Sequence, residues 1–293
     1  MRKRKKDYQS RTAYAMIAPA VLIIFGMGVF PVVYSIWLSF NDVNPMTFDT
    51  DFIGLENYKD IFVNPEFWQS IGITLYFCVV SIVIQLILGF LVAMLLNQKF
   101  VGRGIVRALI LLPWAVPTIV NANLWNWILN ANYGILNRLL MKLGIISDSI
   151  AWLSDGGTAL HMIILADTWR MLPLVVIMLL AGLQTVSKSV WEAAVVDGAG
   201  AWRRLRAVYI PALKPMILVI LVLRTIQAIR VFDIVYVLTK GGPANKTMVI
   251  SFYSYYETFN YLNYGKGAAI AMVIAVLALV LSLVYFKVLK SGD

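Results

Sequence analysis
Charge is what this chain has least of: 14% of its residues are Asp, Glu, Lys or Arg, where ordinary soluble domains carry about 25%. A soluble protein of 293 residues could not cover its apolar surface with so few charges. Cysteine is nearly absent as well. The one example, Cys78, sits in an apolar run, which excludes an internal disulfide and suggests no thiolate metal site. The single histidine, His161, has no metal-ligating neighbour in sequence and reads as a polar boundary residue. No His, Cys or paired-carboxylate constellation offers the catalytic centre that a membrane enzyme needs, so we assign no catalytic and no metal-binding residue. No G-x-x-x-x-G-K-[ST] phosphate loop occurs either, so the chain brings no nucleotide site of its own.

What is present is apolar. Hydrophobic residues make up 60% of the sequence, with mean hydropathy +0.78. Six runs, Tyr14 to Leu38, Phe67 to Leu96, Gly104 to Leu129, Thr158 to Leu183, Met216 to Leu238 and Gly267 to Phe286, each reach the roughly 20 residues that cross a hydrocarbon core. The expected fold class is an all-α membrane protein of six transmembrane helices. The basic segment 1–12 precedes a first helix at 13–40, an external loop at 41–66 and a five-helix core at 67–290. Arg2 to Lys6 ahead of the first run imitate a signal peptide, but that run is too long and its Ala18-Pro19-Ala20 cluster is misplaced for cleavage. We therefore expect a retained helix.

Lys and Arg set the orientation. With a cytoplasmic N-terminus, the inner segments hold the basic N-terminus, then Lys99, Arg103 and Arg107, then Lys188, Arg203, Arg204, Arg206 and Lys214, and finally Lys287 and Lys290. The outer segments hold fewer cations and most of the carboxylates, from Asp42 to Glu66. That is the positive-inside pattern, with both termini cytoplasmic. The net charge of +10 then concerns topology and anionic membrane lipid. Nothing calls for nucleic acid.

The long polar interruption 184–215 falls on the cytoplasmic side. Val190, Trp191, Ala194 and Val195 share one helical face, Ser189 with Glu192 has the spacing of a capping box, and Gly198 suits a tight turn. A second helical piece carries Trp202, Leu205 and Tyr209, and Pro211 and Pro215 are expected to stop it before the fifth span, because proline has no N–H for the ladder. On these grounds the segment reads either as an interfacial element or as a protein docking site.

Its spacing carries a resemblance. Glu192-Ala193-Ala194, three residues, Gly198, then nine residues to Val208-Tyr209-Ile210-Pro211 resembles the signature loop of the membrane-spanning subunits of prokaryotic ABC importers. Phe52 to Tyr58, Leu112-Pro113 with Pro117, and Phe232-Asp233 with Tyr236 to Pro243 look like the carbohydrate branch of that family, the disaccharide and oligosaccharide permeases. Arg224-Thr225, Ala228 and Arg230 to Asp233 are similar to permeases for trehalose, maltose and related α-glucosides.

The resemblance implies a type I ABC importer transmembrane domain in a prokaryotic cell membrane. Its partners would be a second homologous permease, two ATP-binding subunits that use ATP and Mg, and an extracytoplasmic sugar-binding protein, with no cofactor in this chain. It further implies that the helix from Ser189 to Asp197 is a coupling helix seated in a groove of an ATPase subunit. Ser189, Trp191, Glu192, Ala193, Ala194, Asp197, Gly198 and Pro211 are then the coupling-loop residues. The implied sugar pathway maps onto Asp167, Arg170, Met171 and Leu174 before the loop, and onto Arg224, Gln227, Ala228 and Val231 after it. Polar groups inside spans cost about 2.5–3.5 kcal/mol each on insertion scales, so they should face protein or water. Asp167 with Arg170, and Arg230 with Asp233, have the i, i+3 spacing of self-satisfying pairs. Gln85, Asn121, Asn123 and Asn126 read as hydrogen-bonding glue between helices. The competing class is a secondary active transporter, which also carries intramembrane Asp and Arg but lacks an ATPase-docking loop.

Overall fold
The computed structural model describes residues 14–47 and 49–290; the basic segment 1–12 lies outside them. Among the described residues twelve helices and one small hairpin follow in order. They are α1 (Tyr14–Leu38), β1 (Asn41–Val43) and β2 (Thr50–Phe52), α2 (Glu56–Val63), α3 (Pro65–Asn97), α4 (Arg103–Ala115), α5 (Thr118–Ile128), α6 (Ile135–Lys142), α7 (Gly156–Leu183), α8 (Lys188–Val196), α9 (Trp202–Ile229), α10 (Asp233–Leu238), α11 (Ile250–Phe259) and α12 (Tyr264–Lys290). Among the described residues five helices are long and apolar enough to cross a membrane, or six when α4 and α5 count as one broken span. Two compact units are formed, Met1–Asn64 with Ser254–Val273, and Pro65–Tyr253 with Ile274–Asp293.

In the first unit, β1 and β2 pair antiparallel with Asn41 opposite Phe52. The buried Asn57 of α2 ties this hairpin to the end of α1, its side-chain amide donating to the carbonyls of Ser39 at 3.1 Å and Asn41 at 3.0 Å. Gly265 packs so closely on the Asn41 carbonyl and the Asn57 amide that a side chain there would collide with both. The Phe52 to Tyr58 patch is thus an anchoring device.

The second unit is organised around α3 and α7. Gly89 lets the two approach until a Cβ at that position would lie 2.8 Å from Val175 Cγ1, the small-residue contact by which membrane helices pack without a hydrophobic driving force. Ala93, Leu96, Val176, Leu179 and Leu183 extend this seam to Leu213 and Ile220 of α9.

Three expectations change. The run Gly104 to Leu129 is not one straight helix: α4 and α5 meet at 96°. Val116 is extended there (ψ 128°), as the ring of the following Pro117 requires. The run Met216 to Leu238 is likewise interrupted. Helix α9 ends at Ile229, whose carbonyl accepts from Ser251 Oγ at 3.1 Å, and α10 starts only at Asp233. At its other end α9 begins earlier than expected, because Pro211 does not stop it. A π turn over Leu205–Tyr209, closed by the Ile210 N–H on the Leu205 carbonyl, immediately precedes the proline. Widening that turn accommodates a residue that can neither donate to the ladder nor tolerate the usual carbonyl beneath its ring. The same arrangement recurs in α1, where a π turn over Phe25–Val29 precedes Phe30 and Pro31.

Candidate functional site
The two helix breaks of the second unit open onto one cavity of about 370 Å³. Trp114 and Thr118 reach it from the α4/α5 break, Arg230 to Ile234 from the α9/α10 break, Asp167, Arg170 and Met171 from α7, and Arg224, Ile226 and Gln227 from α9. Broken spans are where membrane proteins tolerate irregular backbone, because there it lines a cavity and faces no lipid.

Its floor is a closed polar network. Arg224, a residue almost without solvent contact, donates from Nη2 to Asp167 Oδ2 at 2.8 Å, from Nε to Gln85 Oε1 at 2.7 Å and from Nη1 to Gln227 Oε1 at 2.9 Å. Gln85 Nε2 completes the ring by donating to Asp167 Oδ2 at 3.1 Å. One cation, one carboxylate and two amides from α3, α7 and α9 thereby satisfy each other. Of the two readings open for Asp167 and Arg170, self-pairing along α7 is not what forms, since Asp167 bonds across to Arg224 of α9. Gln85 is the interhelical link its sequence position suggested. Asn121 serves similarly, donating to the Ala166 carbonyl at 3.4 Å.

Arg170 is left over. It lines the cavity, and its Nε is buried without a hydrogen-bond partner; no ion pair holds it among the described residues. Arg230 and Asp233 also line the cavity and do not pair with each other there. The cavity therefore offers unengaged hydrogen-bonding groups beside the rings of Trp114 and Phe232. Of the eight pathway residues expected from sequence, Asp167, Arg170, Met171, Arg224, Gln227 and Val231 meet here, while Leu174 and Ala228 are not part of the lining. Trp114 and Thr118 were missed as lining residues; the Pro113 and Pro117 doublet was the signal for the break that delivers them. His161 is engaged locally, with Nε2 2.8 Å from Tyr76 Oη and Nδ1 2.7 Å from the Gly157 carbonyl.

The polar segment between α7 and α9 has its own geometry. Ser187, not Ser189, caps α8, its Oγ accepting from the Val190 N–H at 3.4 Å. The N-cap thus lies two residues before the expected Ser189, which falls within the first helical turn, and Val190 at the third helical position has no side chain that could return the bond. Asp197 closes α8, and Gly198 follows in the left-handed region at φ +69°. The Gly198 N–H bonds the Val195 carbonyl at 3.1 Å and the Ala199 N–H bonds the Ala194 carbonyl at 2.9 Å, the Schellman arrangement that favours glycine at this position. Val190, Glu192, Ala193 and Val195 stand exposed. The Trp191 side chain lies outside the described residues.

Comparison with known proteins agrees with this architecture. The family model for the binding-protein-dependent transport system inner membrane component matches residues 85–289. The chain is 40% identical over 286 residues to the trehalose/maltose transport system permease protein MalF of Thermococcus litoralis, covering 97% of this chain and 95% of that one. It is 34% identical over 282 residues to the sulfoquinovosyl glycerol transport system permease protein SmoG of Agrobacterium fabrum, covering 96% and 91%. Its fold is similar to that of a bacterial ABC transporter chain involved in import of the acidic polysaccharide alginate, with TM-score 0.83, 23% identity and 99% of both chains covered.

Proposed function
The chain belongs to the binding-protein-dependent transport system inner membrane components, and from that membership we propose that it is the membrane-spanning permease subunit of an ATP-driven importer for a di- or oligosaccharide. An α-glucoside such as trehalose or maltose is the favoured cargo, a reading supported by the relative MalF, a trehalose/maltose transport system permease. The observation that carries the reading is Arg170, an unengaged guanidinium in the same cavity as Gln227, Trp114 and Phe232. Sugars need hydroxyl-bonding groups beside flat apolar surfaces, and a cavity of about 370 Å³ falls in the roughly 300–1,000 Å³ range of small-molecule sites.

In this reading α8 is the coupling helix. Val190, Trp191, Ala194 and Val195 seat in a groove of an ATP-binding subunit, Glu192 meets a basic residue there, and the Gly198 turn fixes the angle at which α9 leaves. Two ATP-binding subunits use ATP and Mg, a second permease completes the pathway, and an extracytoplasmic binding protein delivers the sugar. Both termini are cytoplasmic. Movement of α8 with its ATPase rocks α7 and α9 around the cavity, as rigid bodies do in alternating access.

The test is ATPase activity and uptake by the purified complex in proteoliposomes, with binding protein loaded from a panel of sugars. An Arg170→Gln variant should lose sugar uptake while the complex remains assembled; Glu192→Lys should leave ATP hydrolysis running without uptake. Proton-driven uptake by this chain alone would instead establish the secondary transporter. Unaltered uptake in both variants would remove the assigned residues from the pathway and the coupling.

A further inference from the structure
Helix α3 contributes no residue to the cavity lining, yet one of its side chains holds the cavity floor. Gln85 has no solvent contact. One turn further on, Gly89 brings α3 tightly against Val175 of α7, and across this seam the Gln85 amide reaches both Asp167 and Arg224. Its orientation is dictated by chemistry. Oε1 accepts from Arg224 Nε and Nε2 donates to Asp167 Oδ2; turned over, the amide would set N–H against N–H and oxygen against oxygen. An ionised glutamate in its place would lack the donor, and a methionine would lack both groups.

The consequence falls on Asp167. Its Oδ2 receives two donors, Gln85 Nε2 at 3.1 Å and Arg224 Nη2 at 2.8 Å, which occupy the lone pairs of that oxygen. Oδ1 makes no bond among the described residues and is not sealed in by protein, so its acceptor capacity is turned to the cavity that Asp167 lines. Gln227 is held in a matching way. Its Oε1 accepts from Arg224 Nη1 at 2.9 Å, which leaves the Nε2 donors to a residue of the same lining. A charged acceptor and an amide donor are thereby fixed on the two terminal nitrogens of one guanidinium. A hydroxyl both donates and accepts, so two neighbouring hydroxyls of a sugar ring can use this pair, and groups already held in place cost little to order on binding.

We propose that Gln85 is a positioning residue for the cargo: by fixing the Asp167 carboxylate and the Arg224 guanidinium, it presents Asp167 Oδ1 and the Gln227 amide to a pair of sugar hydroxyls without touching the sugar itself. The inference rests on the sugar reading of the cavity.

The assembled complex, in nanodiscs without nucleotide, is titrated with radiolabelled maltose and trehalose, and bound sugar is counted per assembled permease. Gln85→Met, similar in volume, should weaken binding about tenfold, the value of one hydrogen bond to a charged group, with the amount bound at saturation unchanged. Gln85→Ser leaves room for a water that can satisfy Arg224 Nε and Asp167 Oδ2, so it keeps the buried groups bonded and spares the fold; a water does not fix their orientation, and affinity should fall here too. On an Asp167→Asn background, Gln85→Met should add no more than about twofold, because the charged acceptor it positions is gone. Unchanged affinity in both Gln85 variants overturns the proposal and leaves the sugar reading standing. A loss that repeats in full on the Asp167→Asn background overturns it as well, since Gln85 would then act by another route. So does a fall in the amount bound at unchanged affinity, the mark of a merely structural residue. No binding of either sugar by the wild type overturns the α-glucoside reading, and the proposal with it.

Discussion
Arg170 and Arg224 lie on facing helices and line the same cavity, yet removing their charges should have opposite kinds of effect. Arg224 is 2% exposed and its partner Asp167 side chain 10%. Breaking such a pair from one side typically costs about 3–5 kcal/mol, because the remaining charge stays buried. Asp167→Asn should sit near the lower figure, since Gln85 and Gln227 still accept from Arg224. Arg224→Gln should sit near the upper one, because the carboxylate keeps only the Gln85 amide. The double variant leaves four neutral amides that can bond to one another, so it should cost less than the sum of the singles by about 2 kcal/mol or more. Arg170→Gln breaks no bond among the described residues and should change stability by no more than about 0.5 kcal/mol, the usual range for changes away from such features. Denaturant unfolding of the purified complex gives all four values, and sugar-stimulated ATPase separates Arg170 from the rest. Additive costs for Asp167→Asn and Arg224→Gln, within about 0.5 kcal/mol, would refute the pairing. A loss in Arg170→Gln as large as in Arg224→Gln would refute the division of labour.

Further outcomes follow from the packing and turns. Gly198→Val should destabilise the α8 turn by about 1–2 kcal/mol, the cost of a left-handed conformation for a residue with Cβ, and Gly198→Asn should cost much less; because no atom lies within 4 Å of a Cβ there, equal effects would show that crowding and not backbone strain is responsible. Gly89→Leu should overpack the α3–α7 seam at Val175 and cost about 1–3 kcal/mol in unfolding experiments, with little effect expected from the same change at Gly72, where a Cβ meets nothing. The Asp155 carboxyl is held below the usual carboxylate range by the Thr158 N–H it accepts from at the start of α7. Its capping contribution is therefore complete above the unfolded-state value and disappears as pH falls through the lower folded value, so hydrogen exchange in the first turn of α7 should accelerate in that acid window and lose this dependence in Asp155→Asn.

The spans were readable because crossing a bilayer demands about 20 apolar residues, and composition alone records that. Direction is another matter. Pro113 and Pro117 mark the first helix break, but the second, at Arg230 to Phe232, contains no proline and depends on Ser251 binding the Ile229 carbonyl from another helix. Local spacing suggested Asp167 with Arg170, whereas the actual partner is 57 residues away; pattern within one helix cannot see across to the next. Pro211 misled in the other direction, since a rule about missing donors does not reveal that a π turn has removed the conflict. The Gly198 turn was legible for a plain reason: only its own backbone conformation requires the glycine.

That π turn makes α9 one continuous rod of 28 residues, about 42 Å at 1.5 Å per residue. Trp202 at one end adjoins the α8 turn, and Arg224 lies about 33 Å further along. A lever of this length turns a tilt of some 10° at the turn into a shift of about 6 Å at the arginine, one helical pitch. Had Pro211 broken the rod, a joint would stand between the polar segment and the cavity, and small rotations at one end would be lost before reaching the other.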